Sequence, residues 1–411
     1  MRSDSGDALT SWLRGRASRP ALVAALVVIA VSVQGAVCQA DGGMDNQVVA
    51  RAARIFLDGG SPYADKRFLY LPSSVLLAVP EAELGPAAVR VLAPILVAAL
   101  VLLGWWAALR IFGVSARSRL AVGVAGGLAY FAPFRSELYL GNWTAVSAAA
   151  LPVSLLYAAR GRWTAAAAVI GAAVAVKPML VPIALLFVLA RQWRPLAVLA
   201  AIPLGASGLA GLAMTHPVLL FTRTFPFLLH GQDSFARPYD ASLTAILGRL
   251  GLAQPASALL AGFLAAAGLW AARTRWRRPG GDERLRLVET ATMLMLATFV
   301  VARPAFLHYV LVVLPLLLAT LPLRGSLGHS PWFWIVLLPQ NAAVGWPYLA
   351  SAQRRAYKDA LMLSGLALLL AWRILEPSLA RRAPQRGAGN CASNRTHAGG
   401  PETTATAPSG R

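Results

Sequence analysis

Residues 20–57 read PALVAALVVIAVSVQGAVCQADGGMDNQVVARAARIFL, and two different patterns meet inside this stretch. Residues 20–38 form a run without a charged side chain. A hydrocarbon core of ~30 Å is crossed by about 20 such residues in a helix, so the run reads as a first membrane span. Arg14, Arg16 and Arg19 precede it, and no small-residue cleavage site leads into a soluble mature protein. The run is therefore expected to be retained. From Asp45 the pattern changes, and Val48, Ala52, Ile55 and Phe56 share one face at helical spacing. An amphipathic helix beginning with an acid, directly after a span, predicts a polar structure held against one membrane face.

The whole chain agrees with that reading. Of 411 residues 57% are apolar and 13% charged, about half the ~25% charge of a soluble domain. Basic residues outnumber acidic ones 38 to 17. The excess is scattered between apolar runs and forms no soluble basic domain, which argues against nucleic acid as a partner and for membrane topology. The two cysteines, Cys38 and Cys391, stand at opposite ends, so no disulfide framework is expected, and no Cys/His spacing suits a metal. Neither GxxxxGK[ST] nor a strand-turn-helix GxGxxG occurs, which disfavours a nucleotide-dependent enzyme or pump.

Apolar runs fall near 20–38, 87–112, 118–133, 142–159, 163–177, 178–190, 195–214, 255–272, 285–302, 305–323, 331–350 and 359–376. The expected fold is an all-α polytopic membrane protein with 10–12 transmembrane helices. Residues 1–19 are assigned to the cytoplasm, 20–378 to the membrane domain and 379–411 to a Gly/Ala/Pro/Thr-rich disordered cytoplasmic tail. With the N-terminus inside, Arg117 and Arg119, Arg160 and Arg162, Arg191 and Arg194, and then Arg273 to Arg278 all fall in cytoplasmic loops. Arg354, Arg355 and Lys358 break this rule and fall outside: either the last two spans are miscounted or these charges face anionic lipid or a substrate. Two long outer segments remain, 39–86 and 215–254.

Ionisable groups near a membrane are costly and point to function, although most loop charges are simply solvated. Asp45 stands out because it opens the amphipathic helix. The helix dipole alone favours an acid there; the chemical alternative is a general base for a sugar hydroxyl. Asp58 and Asp65 lie in a polar turn where solvation accounts for them. Lys177 closes an apolar helix before Pro178, on the outer side in this topology, where a lysine either snorkels or holds a lipid phosphate. Arg223, Arg303 and His308 are likewise polar groups set in aromatic or apolar sequence near the outer boundary, suited to a leaving phosphate.

These features together resemble glycosyltransferase family 87, polytopic GT-C enzymes that use polyprenyl-phosphate sugars. The resemblance rests on Asp45, the turn from Gly59 to Tyr63, and Tyr70 with Pro72. It continues in LGNWTAVSAAAL (140–151), in AVAVKPMLVPIALLFVLARQWR (173–194) and in FTRTFPFLLHGQDSFARPYDASL (221–243). The last of these is similar to the second outer loop of arabinofuranose-transferring members. Two departures are visible. Val49 or Ala50 stands where the family usually has Tyr, and Tyr70-Leu71-Pro72 replaces Tyr-Pro-Pro.

The resemblance implies a GT-C bundle whose active site lies on the extracytoplasmic face of the cell membrane. It also implies a polyprenyl-phosphate sugar donor and a glycan or glycolipid acceptor, with no cofactor and no metal required. Asp45 would be the base; Lys177, Arg223, His308, Asn142 and Arg303 would bind donor phosphate or sugar; Tyr63, Tyr70 and Asp233 would meet the acceptor or order the loops. Transfer of arabinofuranose from decaprenyl-phospho-arabinose is the leading expectation. A polyprenyl-phospho-mannose-dependent mannosyltransferase is the alternative, and a transporter of lipid-linked sugar the alternative of a different class.

Overall fold

The computed structural model describes residues 4–39, 41–230, 237–278, 281–349 and 351–376. Asp233 and the tail from 379 lie outside the described residues. Among those described, the chain is helical throughout, with two isolated bridges, Arg16 to Ser118 and Phe131 to Asn341, and no strand. Four helices are long and apolar enough to cross a membrane: Arg19–Val37, Pro86–Ile111, Trp193–Leu212 and Gln254–Arg277. The chain is a helical membrane protein. The first of the four begins where the charge pattern predicts: Ser18 accepts the Ala21 N–H at 3.3 Å and Pro20 occupies the first turn.

The other apolar runs differ from uniform spans, and proline is the common cause. Residues 178–190 form the 3₁₀ turn Pro178–Ile183 and the short helix Ala184–Leu189, because Pro178 and Pro182 interrupt the hydrogen-bond ladder. Residues 305–323 divide into Leu307–Val312 and Leu314–Ala319, the latter with Pro315 in its first turn. The run 331–350 is α-helical over Pro331–Leu337, then passes into the 3₁₀ turn Leu338–Gln340 at Pro339 and a second 3₁₀ turn, Pro347–Leu349. The Gly-rich run 118–133 gives Arg119–Leu128 alone. In contrast, the last run is longer than its apolar part: Ala352–Leu375 is one helix of 24 residues that carries Arg355 and Lys358 on its first turns.

Close approach between helices depends on small residues, as expected where lipid removes most of the hydrophobic drive between helices. Pro86–Ile111 packs against Thr144–Ala158, and a Cβ on Gly104 would lie 2.3 Å from the Ala148 carbonyl oxygen. Elsewhere three helices are pinned by one buried carboxylate. Glu289 of Glu283–Val301 accepts from Arg275 at 2.6 Å and from Arg373 at 3.1 Å, tying Gln254–Arg277 and Ala352–Leu375 together.

Segment 39–86 has a core of its own. The helix Met44–Leu57 packs on Pro72–Glu83, and Val49, Ala52, Ala53, Tyr63, Phe68, Val75 and Ala78 are buried between them. The 12 residues of Pro72–Glu83 are too few to span, as the sequence indicates. Tyr63 is fully buried and donates its hydroxyl to the Tyr70 carbonyl at 3.0 Å. The rings of Tyr63, Phe68, Tyr70 and Trp143 then follow one another at 5.3, 5.7 and 5.9 Å.

Candidate active site

Asp45 sits in the first turn of Met44–Leu57, whose start is tied to a neighbouring helix by the Gly43 N–H, which donates to the Tyr139 carbonyl at 2.7 Å. Tyr139 belongs to Ala132–Leu140, which ends at Gly141 with φ +61°. A Cβ at Gly141 would be strained by that φ and would lie 3.2 Å from the Asn46 Cβ. Glycine therefore lets the chain turn against the Asp45 helix and presents the next residue, Asn142, to the carboxylate.

The Asn142 amide is held in one orientation. Its Oδ1 accepts from Lys177 Nζ at 2.6 Å, from the Thr144 N–H at 2.8 Å and from Thr144 Oγ1 at 2.8 Å. A carbonyl oxygen has two lone pairs, so three donors leave it no capacity for another, and the Nδ2 must point the other way. It donates to Asp45 Oδ2 at 2.6 Å. Lys177 arrives from Trp163–Val176, which stops because Pro178 excludes helical geometry from the residue before it; Lys177 is extended at φ −148°, ψ 121°. Its ammonium also donates to Thr144 Oγ1 at 2.8 Å and lies 5.7 Å from the Tyr70 ring and 6.0 Å from the Tyr309 ring.

Asp45 is half-buried. Burial pushes its carboxyl above the ordinary Asp range, against the opposing pull of the Asn142 hydrogen bond and the Lys177 charge. A carboxylate so placed is more basic than a solvated one, and among the described residues only one of its oxygens has a hydrogen-bond donor, which leaves the other for a proton. Beside it Asn46 accepts from Trp143 Nε1 at 2.9 Å and donates to Glu81. Burial raises the Glu81 carboxyl to about 7, with Arg54 opposing.

The other expected residues divide in two. His308 lies in the same region, buried in Leu307–Val312 with its ring stacked on Phe306; its Nδ1 is 3.9 Å from Glu137 Oε2, too far for a hydrogen bond. Tyr70 lines the site through Lys177 and Trp143. Tyr63 lies one ring further back and holds Tyr70 in place. Arg303 has a buried Nε that makes no hydrogen bond, but no contact joins it to Asp45. Arg223 is exposed on the π-helical turn Leu220–Thr224, which packs on Pro62–Ala64, and makes no hydrogen bond to the Asp45 network. Asn46, Glu81, Glu137, Thr144 and Tyr309 join the site without having been singled out. Thr144 was the most accessible of these, since an Asn followed two residues later by Thr favours the local turn seen here. Among the described residues no group of three or more His, Cys, Asp or Glu side chains is arranged to hold a metal.

Comparison with known proteins adds to this geometry. The family model described as glycosyltransferase family 87 matches residues 68–304, a span that includes Asn142, Lys177, Arg223 and Arg303 and begins after Asp45. Two curated proteins, both alpha-(1->3)-arabinofuranosyltransferases of Mycobacterium tuberculosis, from strains CDC 1551 / Oshkosh and ATCC 25618 / H37Rv, are 27% identical over 259 residues. The match covers 57% of this chain and 58% of each relative, so the chain spans little more than half the length of the proteins it resembles. No solved structure matches. The family match extends over more than half of a helical membrane chain, and it makes this protein a member of glycosyltransferase family 87.

Proposed function

We propose that the protein transfers an arabinofuranosyl unit from decaprenyl-phospho-arabinose to a cell-envelope arabinan acceptor on the outer face of the cell membrane, with inversion. The observation that carries this reading is the half-buried Asp45 carboxylate, fixed by an Asn142 amide whose orientation Lys177 and Thr144 set. The family supplies the reaction class, and the 27% identical relatives supply the arabinofuranose.

In the proposed step the acceptor hydroxyl oxygen attacks the anomeric carbon while Asp45 takes its proton. The bond from the anomeric carbon to the phosphate oxygen breaks on the opposite face, and the electron pair leaves with the lipid monophosphate. A β-linked donor thus gives an α-linked product. Lys177 acts mainly through Asn142: it orients the amide and keeps a positive charge near Asp45, which favours the ionised base before the proton moves. His308 and Arg303 remain candidates for the donor's phosphate or sugar, Tyr70 and Tyr63 for ordering the acceptor loop.

The experiment supplies purified protein in vesicles with radiolabelled decaprenyl-phospho-arabinose or decaprenyl-phospho-mannose and synthetic arabinan or mannoside acceptors, followed by linkage analysis. Label moving only from the arabinose donor, into an α-linkage, is the expected result. Exclusive mannose transfer would replace arabinose by mannose on the same chemistry. Lipid redistribution between leaflets without a covalent product would remove the enzyme reading altogether.

A further inference from the structure

Two pairs of consecutive residues meet at the start of Met44–Leu57. Asn142 donates to Asp45, and the next residue on each side repeats the contact, Trp143 Nε1 donating to Asn46 Oδ1 at 2.9 Å. The first contact fixes the carboxylate of the site. The second lies deeper, because Asn46 is only 2% exposed whereas Asp45 is half-buried. Trp143 also closes the row of rings that runs from Tyr63 through Phe68 and Tyr70, so the amide of Asn46 is joined to the core of segment 39–86.

A buried amide is costly unless both of its ends are paired. The indole N–H can only donate, so it takes Asn46 Oδ1 and thereby decides which way the amide faces. Nδ2 is left pointing away from Trp143 and needs an acceptor. Glu81 of Pro72–Glu83 supplies it through Oε1. Asn46 thus joins three parts of the site: its own helix, the turn that presents Asn142 and Trp143, and the second helix of segment 39–86.

The helix that carries Asp45 depends on such lateral contacts. Its N-cap is Gly43, at φ +79°, which has no side chain with which to cap the free N–H groups of the first turn. The turn is located from its sides instead, by the Gly43 N–H on Tyr139, by Asp45 on Asn142, and by Asn46 on Trp143 and Glu81. Of these contacts, the Glu81 bond is the one that ties the turn to Pro72–Glu83. The next tie between the two helices comes two turns later, where Arg54 Nε donates to the Ala82 carbonyl at 3.5 Å. A shift of about 1 Å in a reacting group costs on the order of 10²-fold in rate, so the placing of this turn matters to a base on it.

We propose that Glu81 is a positioning residue for the Asp45 base: by accepting from Asn46 it locks that amide against Trp143 and sets where the first turn of Met44–Leu57 stands. The role rests on the reading of Asp45 as the base, and it gives Glu81 and Asn46 a function that the transfer step does not itself call for. Glu81 acts through Asn46 and not on the reacting atoms. What the role requires of it is an acceptor that faces Nδ2, so an amide carbonyl can stand in for the carboxylate. Equally, donor and acceptor can be exchanged between the two positions without loss of the bond.

That exchange is the test, made in the full chain in vesicles with both labelled sugar donors supplied. Asn46→Asp keeps an acceptor for Trp143 but removes the donor and sets a second carboxylate against Glu81; it should lower kcat on the order of tenfold while donor KM changes little. Glu81→Leu, which offers no acceptor, should lose a similar amount. Glu81→Gln keeps a carbonyl and should stay within about threefold of the native rate, and the double variant Asn46→Asp, Glu81→Gln should return to that range, because the introduced amide donates to the introduced carboxylate. Hydrogen exchange at amides 47–51, which bond to the carbonyls at the start of this helix, supplies a readout that needs no substrate. Exchange should quicken in Asn46→Asp and in Glu81→Leu and slow again in the double variant. A double variant no better than Asn46→Asp, or a Glu81→Leu chain with native rate and native exchange, would overturn the role. If exchange follows the swap but neither sugar is transferred by the native chain, the brace stands and the reaction is wrong. If the native chain transfers sugar and the swap restores neither rate nor exchange, the brace fails and the transferase reading stands.

Discussion

The two long polar segments of this chain look alike in sequence, each a mixture of acids, arginines and aromatics, but they are built differently. Segment 39–86 encloses its own apolar core, and that core presses Asp45 against a fixed amide. Segment 215–254 leaves Arg223 exposed. Its buried acid, Asp240, is bonded to backbone: Oδ1 accepts the Ser242 N–H at 2.8 Å and the Ala305 N–H at 3.0 Å. One segment holds a half-buried carboxylate against a side-chain amide beside an ammonium, whereas the other buries its carboxylate as a fastener between backbone segments. Charge among aromatics is therefore not a sufficient sign of chemistry. What matters is which groups the charge is held against: a side-chain amide and an ammonium at Asp45, backbone N–H groups at Asp240.

Among substitutions that leave Asp45 in place, Lys177→Met should have the largest effect. It removes a donor from Asn142 Oδ1 and the positive charge that offsets Asp45 and Glu137. A fall in kcat/KM of about 10²-fold is expected from the misplaced base, measured by steady-state transfer. A mild loss would mean that the first segment does not depend on its buried network.

Asn142→Ala should cost on the order of tenfold and reveal more through pH. The base works ionised, and the Asp45 pKa is raised by burial, so activity is lost as pH falls through a value above the ordinary Asp range. The Asn142 hydrogen bond opposes that rise. Without it the acid limb of kcat/KM should move to higher pH; movement to lower pH would contradict the assignment.

The second segment should respond in stability and not in chemistry. Asp240→Ala leaves two buried N–H groups without their acceptor and should destabilise by about 1–3 kcal/mol in thermal unfolding, with kcat nearly unchanged in the folded fraction. Arg223→Gln should have the smallest effect, within about 0.5 kcal/mol in stability, as expected for an exposed side chain with no partner among the described residues, and kcat/KM should change less than threefold. A large loss of turnover in Arg223→Gln would reverse the comparison and return that arginine to the donor site.

Much of this was legible in residue order. The first span, the amphipathic helix opened by Asp45, and the Lys-Pro that turns Lys177 out of its helix are local patterns with local causes. Interrupted spans were less legible, because apolar runs with internal prolines keep their hydropathy while losing helical continuity. Lys177 was readable as a cation closing an apolar helix but not as the partner of Asn142, since the contact joins residues 35 positions apart through a turn that only Gly141 permits. Glu81 and Asn46 were hidden for the same reason, as 35 residues separate them along the chain.

The central claim is that Asp45 takes the acceptor's proton, and it is tested most directly by Asp45→Asn in reconstituted vesicles with labelled donor under single-turnover conditions. The amide conserves size, and the variant should insert and purify as the native chain does. The account predicts a rate of sugar transfer lower by about 10²–10⁴-fold, the usual contribution of a general base, with lipid donor binding retained. Transfer at a near-native rate by the folded variant would contradict it.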